Sequence, residues 1–146
     1  MLKDYLDVLR DLSAENAEFL VVGAYALAAH GHPRATGDLD IWVGTSPENA
    51  ERVYAGLLRF GAPLARIKPQ DFSEPDVIFQ MGIVPNRVDI LTSIDGVEFG
   101  EAWKDRMIGT VLGMQYPVIG REHLKANKKA TGRPKDLQDL AILEGQ

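Results

Sequence analysis

Two aspartates, Asp38 and Asp40, occupy alternate positions in an otherwise apolar segment, residues 38–43. The segment predicts a β-strand, and residues two apart on a strand point to the same face, so the two carboxylates are expected to lie side by side. Like charges at that distance repel unless a cation or a proton lies between them. The pair therefore predicts a divalent metal site on a strand.

A second strand and a glycine turn precede this segment. Residues 19–22 form a short, continuously apolar run, which is typical of a buried central strand. Gly23 then permits a tight turn into a helix that ends near Ala29. Mg²⁺ prefers carboxylate oxygen, water and substrate phosphate. A turn from glycine into a helix is a place to hold phosphate, so Gly23 and Ala24 are candidate phosphate-binding residues.

A third aspartate, Asp89, lies between apolar neighbours in residues 87–91, another predicted strand. An isolated charge there is costly to bury without a partner or a cation. If this strand lies beside residues 38–43, all three carboxylates share one face. Arg87 is expected to point to the opposite face and not to pair with Asp89.

The remaining pattern predicts an α+β fold, with a mixed β-sheet flanked by helices and two C-terminal helices. A proline follows the capping Ser46 at the start of a helix that Gly61 ends, and residues 62–75 read as a loop or a lid. The sequence predicts one domain over residues 1–146. The other predicted helices are residues 2–12, 122–129 and 134–143, and the other predicted strands are residues 76–81, 107–112 and 115–119.

Composition excludes several classes of protein. The chain of 146 residues has no cysteine, which excludes a disulfide framework and a thiol nucleophile. Its net charge of −5 argues against a general nucleic-acid coat protein. No apolar run is long enough to cross a bilayer, and the acidic N-terminal residues do not resemble an export signal. A cytoplasmic location, with no membrane partner, is the resulting expectation.

The glycine turn and the three aspartates resemble the signature of the nucleotidyltransferase (polymerase-β-like) superfamily. Thirteen residues separate Gly23-Ala24 from Asp38-Leu39-Asp40-Ile41. The closer resemblance is to small prokaryotic nucleotidyltransferase-like proteins of the minimal and abortive-infection type. It is carried by residues 23–28, 30–31 and 34–40 and by the tail residues 125–129, 132–136 and 139. The superfamily usually has Gly-Gly or Gly-Ser at the turn, where this chain has Gly23-Ala24.

The resemblance implies a Mg²⁺-dependent enzyme that transfers a nucleoside monophosphate from a nucleoside triphosphate (NTP) to a hydroxyl group. Asp38, Asp40 and Asp89 are then the catalytic residues and the ligands of two Mg²⁺ ions. Proteins of this kind include toxins that modify tRNA ends and antitoxins that modify a partner toxin. RNA, tRNA or a partner toxin or antitoxin is therefore the expected acceptor, in a toxin–antitoxin or phage-defence pair.

Several polar residues are candidates for contacts with phosphate. Arg34 and Thr36 could reach a triphosphate, and loop hydrogen bonding is the alternative for both. Residues 121–135 carry six basic residues against one acid, and a solvated helix face is the alternative to a phosphate or RNA contact. The resemblance implies that Lys125, Lys128 or Lys129 contacts phosphate, with Lys125 and Lys129 on one helix face.

Other residues have simpler interpretations. His30 and His32 could bind metal, but a helix cap or a loop role suits their position better. Trp42 and Trp103 are expected to pack in the core or on the sheet.

Two other functions stay open. A non-catalytic module that binds nucleotide or a partner could retain the fold, although it has no need of three mutually repelling acids. A metal-dependent phosphohydrolase normally needs suitably spaced histidine ligands, and the chain has three histidines and no His-Asp doublet.

Overall fold

Helices and strands are mixed along the chain, as the α+β prediction requires. The computed structural model describes residues 2 to 145. No helix in that range is long and apolar enough to span a membrane. In chain order the elements are α1 (Leu2–Ala14), β1 (Phe19–Val22), α2 (Gly23–Ala29), β2 (Asp38–Val43), α3 (Pro47–Phe60), a 3₁₀ helix (Pro69–Ser73), β3 (Ile78–Met81), β4 (Arg87–Leu91), α4 (Phe99–Lys104), β5 (Met107–Val111), β6 (Met114–Val118), α5 (Arg121–Thr131) and α6 (Pro134–Glu144).

The strands form one mixed sheet in the order β3-β4-β2-β1-β6-β5. β2 pairs with β4, and β1 with β6, in parallel, whereas the other neighbours are antiparallel. The predicted mixed sheet and the predicted adjacency of residues 38–43 and 87–91 are both confirmed. Because β2 and β4 run in the same direction, the N-terminal halves of the two strands lie side by side.

Strand alternation separates the two faces of the sheet at β2 and β4. Leu39 and Ile41 of β2, with Val88 and Ile90 of β4, are at most 3% exposed and belong to the hydrophobic core. Side chains alternate between faces along a strand, so the aspartates lie on the opposite face. The apolar face thus fixes the register, and a slip of one residue would bury the carboxylates in the core.

Helices α1 and α3 pack closely together and contribute much of that core. Tyr5, Leu9 and Leu12 of α1 are almost fully buried. At the point of contact, a Cβ on Gly56 would lie 3.0 Å from the Cα of Leu12. The ends of α3 are as predicted, with the Ser46 hydroxyl accepting a hydrogen bond from a backbone N–H and Gly61 at φ +93°.

Residues 62–75 pack against the rest of the protein, so the lid interpretation is wrong. Phe72, in the 3₁₀ helix, is fully buried and meets Phe79 of β3 edge to face, with ring centroids 6.0 Å apart. Leu64 is also buried. Two apolar side chains thus anchor this segment to the core.

Helix α4 was not predicted, because six residues are too few to show a helical period. Its Phe99 meets Trp42 edge to face and stacks on Trp103, with centroid separations of 5.1 and 5.8 Å. Trp42 is 1% exposed. The predicted packing role of both tryptophans is therefore confirmed.

Candidate functional site

The three aspartates singled out in the sequence meet on one face of the sheet. The register pairs Asp40 of β2 with Asp89 of β4. One carboxylate oxygen from each of Asp38, Asp40 and Asp89 lies within 4.8 Å of the other two. The three side chains come together because they occupy neighbouring positions on two hydrogen-bonded strands, and no loop residue is needed to complete the cluster.

Crowding changes the acid–base behaviour of Asp40. Burial disfavours its charged form, and the negative charges of Asp38 and Asp89 add to that effect. Together with the hydrogen bonds that a protonated Asp40 donates to the same two carboxylates, they raise the pKa of Asp40 to about 8. Without a bound cation, Asp40 therefore holds a proton at neutral pH.

The expectation that Arg87 points away from Asp89 is wrong. Arg87 and Asp89 are two residues apart on β4, and such residues share a face of the sheet. The guanidinium Nε lies 2.8 Å from Asp89 Oδ1, and Nη2 lies 3.3 Å from Asp38 Oδ2. Arg87 thus supplies a positive charge among the carboxylates.

The residues present fit a hard divalent cation such as Mg²⁺. All three donor groups are carboxylates, the oxygen ligands that such ions prefer. The backbone of Gly23 approaches so closely that a Cβ there would lie 2.3 Å from Asp40 Oδ2. The protein thus holds Asp40 in a crowded, partly buried position where its own charge is disfavoured, and a divalent cation would relieve that cost.

These carboxylates form the floor of a cleft with a volume of about 640 Å³. That volume lies within the range of about 300–1,000 Å³ that is typical of small-molecule sites. Another wall of the cleft comes from the loop after β4, from α5 and from the start of α6. It comprises Ser93, Ile94, Asp95, Asn127, Lys128, Thr131, Arg133, Lys135 and Asp136.

Buried ion pairs hold the basic part of that wall. Lys128, which is 9% exposed, places its Nζ 3.0 Å from Asp139 Oδ2 and 3.6 Å from Asp136 Oδ1. Arg133 Nε donates to Asp136 Oδ2 over 2.7 Å. Burial alone would raise the pKa of Asp136, but hydrogen bonds from Arg133 and Thr131 and the nearby positive charges lower it to about 2. Lys128 is therefore held at the cleft by the carboxyl groups of Asp136 and Asp139.

Comparison with known proteins shows the fold. No protein-family model and no curated protein matches the sequence. Among solved structures, the chain is similar to a crystal structure from Thermotoga maritima, described as a putative nucleotidyltransferase. The two share 20% sequence identity with a TM-score of 0.62, over 98% of this chain and 94% of the other. This is a nucleotidyltransferase-like fold.

Within the nucleotidyltransferase-like fold, the other predicted site residues are found at different places. Gly23, Ala24 and Thr36 line the cleft. The Thr36 hydroxyl donates to Asp38 Oδ1 over 3.0 Å, so it orients a carboxylate. Arg34 points elsewhere and bonds to the buried Asp139.

Of the three candidate lysines of α5, one lines the cleft. Lys125 lies 3.5 Å from Glu122, Lys129 is exposed, and neither lines the cleft. Lys128 does, because it lies one helical turn after the buried Leu124 and so shares the inward face of α5. That spacing from an apolar residue was the signal that distinguishes Lys128 from its neighbours.

His30 has the role that its position suggested. It is the C-cap residue of α2, and its ring Nε2 lies 2.8 Å from the carbonyl oxygen of Ile119. The ring is therefore engaged at the end of a helix rather than among the carboxylates.

The raised pKa of Asp40 predicts an unusual dependence of stability on pH. Between about pH 4 and pH 8, the metal-free folded state holds a proton on Asp40 that the unfolded chain has released. Its free energy of unfolding should therefore fall as pH rises through this range, by at most about 1.4 kcal/mol per pH unit. Urea unfolding in EDTA measures the slope.

Two comparisons check the cause of that slope. In Asp40→Asn the decline between pH 4 and pH 8 should disappear, since asparagine does not titrate. Below about pH 4, both proteins should lose stability as pH falls, because the native pKa of Asp136 is about 2, below its ordinary value of 3.8. An equal decline in the variant above pH 4 would show that another group causes it.

Proposed function

We propose that this protein is a Mg²⁺-dependent nucleotidyltransferase that transfers a nucleoside monophosphate from an NTP to a hydroxyl group of a macromolecule. The observation that supports this most directly is that one cleft is lined both by three converging carboxylates and by basic side chains. A polyphosphate bridged to carboxylates by divalent ions needs both kinds of side chain.

The carboxylates take the metal-binding role. Asp38, Asp40 and Asp89 would hold two Mg²⁺ ions, which when bound lower the pKa of an attacking hydroxyl and neutralise the departing pyrophosphate. Thr36 holds Asp38 in its orientation through the hydrogen bond to Oδ1. Asp40 must give up its proton before it can act as a ligand, so ion binding should release about one proton at neutral pH.

The basic wall takes the phosphate-binding role. Lys128 is held at the cleft by Asp136 and Asp139, so little side-chain freedom is lost when it meets a phosphate. Arg133 and Lys135 lie at the same wall and are exposed. At the floor, Gly23 and Ala24 allow a close approach of phosphate to the backbone. In this proposal Lys128 is the α5 lysine that contacts phosphate, and Arg34, Lys125 and Lys129, which do not line the cleft, are not assigned that role.

The acceptor in this proposal is an RNA or tRNA end, or a side chain of a partner toxin or antitoxin protein in the cytoplasm. Support comes from the sequence resemblance to proteins of toxin–antitoxin and phage-defence pairs. The cleft is open, so a large acceptor could reach the carboxylates.

The position of an isotopic label in the NTP distinguishes nucleotidyl transfer from phosphoryl transfer. The purified protein is incubated with Mg²⁺, a cell extract and each of the four NTPs, labelled in turn at the α- or the γ-phosphate. Nucleotidyl transfer leaves the α-label, and not the γ-label, on RNA or protein, and treatment with ribonuclease or protease then identifies the acceptor. Incorporation of γ-label would indicate phosphoryl transfer instead. NTP binding without any transfer would favour the non-catalytic binding module.

A further inference from the structure

Arg87 makes more hydrogen bonds to the carboxylates of the cleft than an arginine in a single surface ion pair would make. Its Nε and Nη2 form a fork on Asp89, with distances of 2.8 Å to Oδ1 and 3.1 Å to Oδ2. Nη2 also reaches Asp38 Oδ2 at 3.3 Å. The remaining oxygen of Asp38 accepts the Thr36 hydroxyl. All four oxygens of Asp38 and Asp89 are therefore hydrogen-bonded.

The strand pairing makes this arrangement inherent in the fold. Arg87 is directly opposite Asp38 in the parallel ladder of β2 and β4, and it precedes Asp89 by two residues on the same face. An arginine at this position has both carboxylates within reach. A planar guanidinium can serve two carboxylates at once, whereas a lysine presents a single point charge.

A divalent ion and this guanidinium compete for the same oxygens. A fork of two N–H groups uses lone pairs of both Asp89 oxygens, which are atoms that a metal ion would coordinate. Two cations that share one pair of carboxylates also repel each other. Tight occupation by an ion is therefore favoured when Arg87 moves away from at least one carboxylate.

We propose that Arg87 is a place-holding cation, which neutralises Asp38 and Asp89 while the site lacks a divalent ion and which the arriving ion displaces. This rests on the proposed function in one respect, that the three aspartates hold divalent ions. Arg87 acts through the carboxylates and is a positioning residue. Its cost to the protein is weaker binding of metal, and its benefit is a stable fold before metal arrives.

Mn²⁺ binding in the absence of nucleotide tests the proposal. Free Mn²⁺ is measured by electron paramagnetic resonance while the ion is titrated into each protein at pH 8. Arg87→Gln should bind Mn²⁺ about tenfold more tightly than the parent, because the competing charge is gone. Arg87→Lys should lie between them, since a single ammonium cannot hold all the oxygens that the fork holds. Equal or weaker binding by Arg87→Gln would overturn the proposal and would indicate that Arg87 orients the ligands for the ion.

Thermal unfolding provides the second readout and the control. In EDTA, Arg87→Gln should unfold at a lower temperature than the parent, and Mn²⁺ should raise its midpoint by more. Arg52→Gln, which removes an equal charge from an exposed position on α3, should match the parent in both assays. If Arg87→Gln does not fold, Arg87→Lys decides the question, and no gain in its Mn²⁺ affinity contradicts the proposal.

The outcome is separable from that of the proposed function. No nucleotide is present in either assay, so a protein that transfers no label can still show competition between Arg87 and Mn²⁺. Conversely, label transfer with unchanged Mn²⁺ affinity in Arg87→Gln would leave the reaction standing and remove the role of Arg87.

Discussion

Asp40→Asn should reduce nucleotidyl transfer by at least about a thousandfold while leaving the protein folded. A loss of that size corresponds to about 4 kcal/mol of transition-state stabilisation, which is within the range that a bound metal ion contributes. Asp40 belongs to the carboxylate cluster, and its charge is disfavoured by both Asp38 and Asp89. An amide of the same shape cannot neutralise a divalent ion.

The same substitution should stabilise the metal-free protein at pH 8. There the parent has lost much of the proton from Asp40 and three carboxylates repel, whereas asparagine carries no charge. Label transfer and urea unfolding are measured on one preparation, with Asp105→Asn as the control. Asp105 is an exposed partner of His123, and its loss should change neither result. Transfer at the parental rate would remove Asp40 from the reaction, and a lower stability at pH 8 would contradict the repulsion.

Gly23→Ala should lower transfer by about a hundredfold or more and also destabilise the fold. Gly23 has φ +69°, where a residue with a Cβ is disfavoured by about 1–2 kcal/mol. In addition, the new Cβ would lie 2.3 Å from Asp40 Oδ2, a distance that atoms do not tolerate. The carboxylate must move, and a displacement of about 1 Å at a reacting centre costs about a hundredfold in rate.

A substitution at a second glycine separates the effect of backbone strain from the effect of the contact with Asp40. Gly61 ends α3 at φ +93°, and a Cβ there would meet no atom of residues 2–145 within 4 Å. Gly61→Ala therefore has the backbone strain without the contact, and it should lose stability while keeping the parental rate of transfer. If both variants lost transfer equally, backbone strain alone would account for the effect and the contact with Asp40 would have no special role.

Most of the sheet could be predicted because local pattern determined it. β1, β2 and β4 begin and end where alternation or a continuous apolar run predicts, with glycine at the turn after β1. The pairing of β2 with β4 followed from chemistry, since Asp89 needed a partner or a cation. The lid interpretation failed because the burial of Phe72 depends on a contact with Phe79 that proline spacing does not reveal.

The predictions for Arg87, Lys128 and Arg34 were incomplete for different reasons. Arg87 could have been placed correctly by the same alternation that placed the aspartates, so that signal was present and misapplied. Lys128 could have been preferred to Lys125 by its spacing from Leu124. The contact between Arg34 and Asp139 joins residues 105 positions apart, and neither lies in a pattern that predicts the other. Long-range pairing of this kind needs the tertiary structure.

The two sides of the cleft come from distant parts of the chain, and this has a consequence for synthesis. Asp38, Asp40 and Asp89 precede α5 and α6, which supply Lys128 and the buried acids that hold it. A ribosome therefore releases all three carboxylates well before the last helix emerges. A nascent chain that lacks α6 has the three carboxylates but not the acids that hold Lys128, so the polypeptide cannot complete the basic part of the cleft until translation has passed Asp139.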